Sequence, residues 1–258
     1  MVHFVGAGSG APDLITLRGK KLLEEADVVI YAGSLVNPQL LEYTRPDCMV
    51  HNSAYLHLDE VLGIMEEAEK KQLTTVRLHT GDPSVYGAIR EQMDGLKQRQ
   101  IEYDICPGVS SFCGAAAALK AEYTLPSVSQ SVIITRMAGR TPVRSEESIR
   151  SLARHQATMV IFLSAGLLDK VTEELLAGGY PPDAPAAIVY KATWEDEKVV
   201  RCTVAELEEA AKENHITRMA LIAVGYFLGE DYELSKLYDA EFTTQFRQGK
   251  SSAAETEK

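Results

Sequence analysis

Three glycine-containing turns follow predicted strands and carry the residues best suited to binding a small polar ligand. The turns are Gly-Ala-Gly-Ser-Gly at 6–10, Thr-Gly-Asp-Pro-Ser-Val-Tyr at 80–86 and Pro-Gly-Val-Ser-Ser-Phe at 107–112. Open parallel sheets bind ligands outside the carboxyl ends of their strands, so we expect these turns to share one edge. Their N–H groups and hydroxyls suit an amino-acid zwitterion or a nucleoside, and physical reasoning leaves the ligand's identity open.

The first turn does not match a dinucleotide-binding loop. Such a loop has the spacing G-x-G-x-x-G, and an acidic residue at the end of the next strand binds the ribose hydroxyls. Here Gly6, Gly8 and Gly10 are spaced as G-x-G-x-G, and the second predicted strand ends at Tyr31, followed by Ala32. The sequence therefore disfavours NAD or FAD. An ordinary strand-to-helix turn, which glycine also permits, remains the alternative to a ligand-binding loop.

Asp82, in the second turn, has two interpretations that do not exclude each other. Asp82 or Ser84 could cap the helix predicted to begin near Ser84, with Pro83 in its first turn. The carboxylate of Asp82 could also lie beside a cationic group of a ligand.

The loop at 135–144 is the best candidate for an anion-binding site. It contains Arg136, Arg140 and Arg144, and guanidinium groups bind carboxylates through paired hydrogen bonds. The alternative is an ordinary basic loop in solvent.

Short β-rich runs alternate with amphipathic helices in the first half of the chain, which is the pattern of a mainly parallel sheet. The predicted strands are 2–5, 27–31, 49–52, 74–78 and 103–106, and the predicted helices are 14–25, 56–71, 84–97 and 110–119. The last helix is rich in alanine, and such small side chains allow close packing against a sheet or a neighbouring domain.

The second half predicts a mixed sheet, because residues 194–198 look like a turn between adjacent antiparallel strands. Its predicted strands are 131–135, 158–163, 186–190, 198–202 and 219–225, and its predicted helices are 146–154, 167–177 and 204–214. The alternation of predicted strands and helices is interrupted at 120–130. We therefore predict an N-terminal α/β domain at 1–120, a C-terminal α/β domain at 121–245 and a disordered tail at 246–258.

Composition excludes several classes of function. The net charge of −11 over 258 residues argues against nonspecific binding to nucleic acid or to anionic membranes. No apolar run is long enough to span a bilayer, and the first residues lack the features of a secretory signal. The four cysteines show no CxxC spacing and the histidines no metal motif, so we expect reduced cysteines, no metal and a cytoplasmic location.

The three turns, in this order and at these separations, resemble the tetrapyrrole (class III) S-adenosylmethionine methyltransferase family. The matching segments are 5–8, 13–19, 26–31, 81–83, 107–111 and 220–225, so the resemblance covers nearly the whole chain. It implies two α/β domains with S-adenosylmethionine in the cleft between them, S-adenosylhomocysteine as product, an anionic tetrapyrrole substrate and a homodimer.

Two segments resemble the branch of the family that methylates C11 of precorrin-4 or cobalt-precorrin-4 in corrin-ring synthesis. They are Tyr-Ala-Gly-Ser-Leu-Val at 31–36 and Leu-Ser-Ala-Gly at 163–166. Ala32 stands where the uroporphyrinogen-III methyltransferases usually carry an aspartate that is proposed as a proton acceptor. We therefore assign no catalytic residue. Ser9 replaces a proline common in relatives, which leaves the shape of the first loop open.

The resemblance assigns cofactor binding to ten positions matched by motif. They are Thr80, Gly81, Asp82, Val85, Tyr86, Ser110, Ser111, Ser164, Ala165 and Ala192. The substrate that the resemblance implies carries several carboxylates, and the best local candidates to bind them are Arg136, Arg140 and Arg144. Methyl transfer from a sulfonium to carbon needs alignment more than a nucleophilic side chain. The alternatives are methylation of another precorrin carbon, of uroporphyrinogen-III or of a diphthamide intermediate, and a carrier that binds tetrapyrrole without catalysis.

Overall fold

The computed structural model describes residues 1–250 and contains two five-stranded sheets within that range, one in each half of the chain. The strands of the first sheet are β1 (Val2–Gly6), β2 (Val28–Tyr31), β3 (Met49–Asn52), β4 (Thr75–His79) and β5 (Tyr103–Cys106). They are all parallel, in the order β3-β2-β4-β1-β5. The carboxyl ends of β1, β4 and β5 are therefore neighbours, as the sequence predicts.

Helices cover both faces of this sheet. They are α1 (Leu17–Glu25), α2 (Leu58–Lys70) and α3 (Ile89–Gln98). Side chains alternate between the two faces of a strand, so Val76 of β4 packs in a cluster with Leu23 of α1. Phe4 of β1 packs on the other face with Met65 of α2 and Leu96 of α3. Burial on both faces fits the continuous apolar run of β2, whereas the edge strands β3 and β5 are partly exposed.

The second sheet is mixed, as predicted. Its strands are β6 (Val132–Arg136), β7 (Thr158–Phe162), β8 (Pro185–Tyr190), β9 (Lys198–Thr203) and β10 (Ala220–Val224), and its helices are α5 (Ile149–Ala153), α6 (Leu168–Ala177) and α7 (Leu207–Glu213). The order is β6-β7-β10-β8-β9. Only β6 and β7 pair in parallel, whereas β8 and β9 are antiparallel and flank the predicted turn at 194–198.

A helix of small residues connects the two sheets. This helix, α4 (Ser111–Leu119), follows β5 but packs against the second sheet, where Ala115 and Leu119 share a cluster with Val160 and Leu221. A methyl group added at Gly114 would lie 2.6 Å from Cβ of Ser9, so the small side chains do permit close packing. The domain boundary near residue 120 stays a prediction.

The predicted helix at 84–97 begins later than expected, because α3 starts at Ile89. Tyr86 and Ala88 have left-handed backbone angles, with φ of 55° and 49°, and a right-handed helix cannot run through them. Residues 83–88 therefore form a loop.

The predicted disordered tail at 246–258 lies partly outside the described residues, which end at 250. Within 246–250, Nη2 of Arg247 donates hydrogen bonds to the carbonyl oxygens of Leu237 and Phe242. No helix in residues 1–250 combines the length and apolarity needed to cross a membrane.

Candidate cofactor and substrate cleft

A cavity of about 620 Å³ lies between the two sheets. Its wall includes the second and third turns, the segments that follow β7 and β8, and the segment that precedes β10. All ten positions to which the sequence assigns a cofactor role lie in this wall: Thr80, Gly81, Asp82, Val85, Tyr86, Ser110, Ser111, Ser164, Ala165 and Ala192. The structure thus brings together residues that are more than 100 positions apart. Their binding role stays a prediction.

The three glycine turns contact one another through their backbones. Gly8 and Gly81 exchange two hydrogen bonds, with N···O distances of 3.3 and 3.0 Å. A methyl group on Gly6 would lie 2.6 Å from Gly108 Cα and from Gly81 O. Real carbon contacts are about 3.5–4.0 Å, so only glycine allows this approach. The result is a cradle whose floor is main chain.

Asp82 joins the second turn to the third. Its Oδ2 accepts a hydrogen bond from Gly108 N at 2.8 Å, and its Oδ1 accepts from the N–H of Ser84 at 2.9 Å and from the Ser84 hydroxyl. Burial raises the pKa of Asp82, but these hydrogen bonds outweigh it and hold the pKa below its ordinary value. Neither Asp82 nor Ser84 caps α3, because its N-cap residue is Ala88. The capping interpretation is therefore wrong.

An aromatic pair spans the cavity between the two halves of the chain. The rings of Tyr86 and Phe162 are 5.5 Å apart between centroids and tilted by 49°. Burial raises the pKa of Tyr86, and the nearby positive charge of Arg136 opposes that rise. Tyr86 combines a left-handed backbone with a cavity-lining side chain, and such strained residues cluster at ligand sites.

Ser164 is fully buried, and its hydroxyl is used within the protein. Its Oγ accepts a hydrogen bond from Met137 N at 2.8 Å and donates one to Phe162 O at 2.6 Å. The side chain therefore ties the end of β7 to the loop that follows β6.

We expect Ser164→Ala to lower the free energy of unfolding by about 1–3 kcal/mol, because the N–H of Met137 is left without an acceptor. Urea unfolding of the variant measures the loss. The matched control is Ser131→Ala, which removes the hydroxyl of an exposed serine. Equal stability of the two variants would contradict this role for Ser164.

The three arginines predicted to bind substrate lie outside the cavity wall. Arg136 donates to the carbonyl oxygens of Thr141 and Pro142 and so braces its own loop. Arg140 is exposed, and Arg144 lies 3.7 Å from the carboxylate of Glu146. The charge of Arg136 acts on a residue of the wall, because it opposes the rise in the pKa of Tyr86. Substrate binding by these arginines stays a prediction.

The cavity wall contains other cations that the sequence reasoning missed: Arg77 of β4, Lys191 after β8 and Arg218 before β10. The signal in the sequence that could identify Arg77 as a site residue is a charged side chain within a predicted buried strand. Lys191 and Arg218 reach the cavity through the packing of antiparallel strands, which no local pattern reveals.

The first turn contacts the second half of the chain. Thr193 Oγ1 accepts a hydrogen bond from Ala11 N at 3.0 Å and lies 3.2 Å from Ser9 Oγ. Ser9 therefore takes part in a contact that a proline could not make. Trp194 lies against Gly10 and lines the cavity.

Comparison with known proteins places this architecture among tetrapyrrole enzymes. Residues 1–208 match the family model of tetrapyrrole (corrin/porphyrin) methylases. The chain is 52% identical over 247 residues to the cobalt-precorrin-4 C(11)-methyltransferase of Methanocaldococcus jannaschii, with 95% of each protein covered. It superposes on a crystal structure of a cobalt precorrin-4 methyltransferase of cobalamin biosynthesis with a TM-score of 0.87, at 46% identity, covering 89% of this chain and 96% of that one. It also superposes on the uroporphyrin-III C-methyltransferase of Thermus thermophilus in complex with S-adenyl homocysteine, with a TM-score of 0.74 at 26% identity, covering 88% and 92%.

Proposed function

Because the chain belongs to the tetrapyrrole methylase family, we propose that it transfers a methyl group from S-adenosylmethionine to C11 of precorrin-4 or cobalt-precorrin-4. The observation that carries this proposal is the gathering of all ten predicted cofactor positions in the wall of one cavity. The 52% identity with a cobalt-precorrin-4 C(11)-methyltransferase supports the choice of carbon.

The cavity fits S-adenosylmethionine in size and in chemistry. A volume of about 620 Å³ lies within the range of about 300–1,000 Å³ typical of small-molecule sites. The wall offers main-chain groups at Ser110 and Ala192 to the polar ends of the cofactor, whereas the N–H and C=O of Gly81 pair with Gly8 and shape the cradle. Bound there, the cofactor supplies a methyl group on a good leaving group.

The protein contributes to this reaction by aligning the two reactants and by providing a suitable electrostatic environment. The cradle fixes one reactant, and the opposite wall, including Phe162 and Leu221, restricts water. Holding two reactants in line accounts for much of the barrier reduction in such reactions. No residue of the chain is assigned as a base.

The substrate brings several carboxylates, which need positive charge. Arg77, Lys191 and Arg218 line the cavity and outnumber its acidic residues, Asp82 and Glu91. We propose that Arg136, Arg140 and Arg144 extend this positive field outside the wall.

A homodimer and a cytoplasmic location complete the proposal. Membership of the family supports the homodimer, and Leu17 (90% exposed) and Tyr55 (85% exposed) are apolar side chains available to an interface. All four cysteines of the chain carry free thiols, which supports a reducing, cytoplasmic location.

Calorimetric titration of S-adenosylmethionine and S-adenosylhomocysteine, with NADH as the control, is the first test. We expect one site per chain for both sulfur ligands and none for NADH. Methyl transfer to precorrin-4, assayed with and without cobalt, then tests the reaction. A protein free of co-purified cofactor that binds neither sulfur ligand would refute the methyltransferase and favour a tetrapyrrole carrier.

A further inference from the structure

Arg77 is a buried cation that has no counter-charge among residues 1–250. It lies in the middle of β4 and is 6% exposed. Its Nε donates to Gln92 Oε1 at 3.0 Å, and its Nη1 donates to Ile30 O at 3.1 Å. Both acceptors are neutral, and Nη2 donates to no described residue. Burial alone lowers the pKa of Arg77, to about 10, so the side chain stays charged at neutral pH.

Two polar groups near Arg77 also lack a hydrogen-bond partner. His79 Nε2 and Thr80 Oγ1 are buried and make no hydrogen bond. Burial, together with the charge of Arg77, lowers the pKa of His79 to about 3, so its ring is neutral. Because buried polar groups are normally hydrogen-bonded, these two unsatisfied groups near the Arg77 guanidinium indicate a missing partner. Arg77, His79 and Thr80 all line the cavity.

The acidic residues of the cavity wall do not supply that partner. The carboxylate oxygens of Asp82 are both occupied, by Gly108 N and by Ser84. Glu91 adjoins Gln92 on α3, yet no carboxylate influences the pKa of Arg77. A buried charge without a counter-charge is unfavourable, and a bound anion would compensate it.

We propose that Arg77, with His79 and Thr80, forms a subsite that binds one carboxylate of the tetrapyrrole. The proposal rests on the function above, because that function supplies the polycarboxylate. Nη2 of Arg77 and the hydroxyl of Thr80 are the donors, and charge-assisted hydrogen bonds of this kind are strong and directional. Because β4 runs directly into Gly81, a carboxylate held here fixes the macrocycle relative to the cofactor cradle. Arg77 is thus a positioning residue.

Uroporphyrin III, a stable tetrapyrrole octacarboxylate, is the probe for this subsite. Trp194 is the single tryptophan of the chain and lines the cavity, so quenching of its fluorescence reports occupancy. The titration uses the full chain saturated with S-adenosylhomocysteine. Arg77→Met is compared with Arg90→Met, because the Arg90 side chain is 84% exposed, pairs with Asp94 and lies outside the cavity wall.

We expect Arg77→Met to raise the Kd for uroporphyrin III about tenfold, the effect of losing a hydrogen bond to a charged group. Arg90→Met should leave that Kd unchanged. The affinity for S-adenosylhomocysteine should be unchanged in both variants. Arg77→Lys keeps the charge but loses the planar guanidinium, and it should raise the Kd for uroporphyrin III about threefold. This conservative variant provides the test if Arg77→Met fails to fold.

Three results would overturn the subsite. One is equal uroporphyrin III affinity in the wild type and the Arg77 variants. Another is a parallel loss of S-adenosylhomocysteine affinity, which would assign Arg77 to the cofactor's own carboxylate. The third is wild-type protein that binds S-adenosylhomocysteine but gives no quenching by uroporphyrin III. Failure of the wild type to bind S-adenosylhomocysteine would instead refute the proposed function.

Discussion

Gly6→Ala is expected to weaken binding of S-adenosylhomocysteine at least about 100-fold, because the new methyl group forces the cradle open. The methyl group would lie 2.6 Å from Gly108 Cα, Gly108 N and Gly81 O. All three are main-chain atoms, so no side chain can rotate away. Reaching an ordinary carbon contact of about 3.5 Å requires a shift of roughly 1 Å between the turns. Misplacing reacting groups by about 1 Å costs about two orders of magnitude in rate, and we expect a comparable loss in affinity because the cradle holds the cofactor directly.

The matched control for this variant is Gly63→Ala in α2, which adds the same methyl group where no atom lies within 4 Å. That control should keep full affinity and gain about 0.5–1 kcal/mol of stability, because alanine favours a helix over glycine. Calorimetry gives both affinities, and urea unfolding gives both stabilities. Unchanged S-adenosylhomocysteine affinity in Gly6→Ala would show that the cofactor does not use the cradle.

The cradle could be predicted from the sequence because its causes are local. Short β-rich runs and the turns that follow them are local signals, and the predicted strands 49–52 and 103–106 have the bounds observed for β3 and β5. The order of the strands then follows from general rules for parallel sheets. What the pattern does not contain is the contact between Gly6 and Gly108, which depends on how closely two loops approach.

The electrostatics of the cavity could not be predicted in the same way. Local density of arginine favoured the loop at 135–144, yet Arg136 is held by carbonyl groups of that loop. The buried cation is Arg77, whose partners Gln92 and Ile30 come from α3 and β2. Alternation along β4 predicts the face on which Arg77 lies. The cavity itself depends on tertiary packing, because α3 and segments from both halves of the chain contribute to its wall.

Tertiary contacts also explain why α3 begins at Ile89 and not at the predicted residue 84. The sequence at 82–84 has the residue types of a helix N-terminus, but Asp82 binds Gly108 N across the cradle instead. A long-range acceptor role outweighs the local preference, and the chain passes through left-handed Tyr86 and Ala88 before the helix begins.

Asp82→Asn is expected to lower the free energy of unfolding by about 1.5–3 kcal/mol at pH 7, because hydrogen bonds to a charged acceptor are lost. An asparagine amide has one oxygen, so its NH₂ group would face the N–H of either Gly108 or Ser84. The third turn then loses its tie to the second, and we expect the affinity for S-adenosylhomocysteine to fall about 10- to 100-fold.

The effect of Asp82→Asn should also depend on pH. The pKa of Asp82 in the folded chain lies below its ordinary value of 3.8, so the unfolded chain binds the proton more tightly. The stabilisation by Asp82 is therefore complete from about one pH unit above 3.8 and is lost progressively as the pH falls through the folded pKa. The stability difference between the wild type and Asp82→Asn should stay constant from pH 7 down to about pH 5 and shrink at lower pH.

Urea unfolding across this pH range tests the prediction, with Asp94→Asn as the matched control. Asp94 is 51% exposed and pairs with Arg90 at 2.9 Å on the surface of α3. Its loss should cost less than about 1 kcal/mol and leave cofactor affinity unchanged, as is usual for exposed ion pairs. If Asp82→Asn behaved like Asp94→Asn in both stability and affinity, the link between the second and third turns would carry no energy. The cofactor cradle would then depend on its glycines alone.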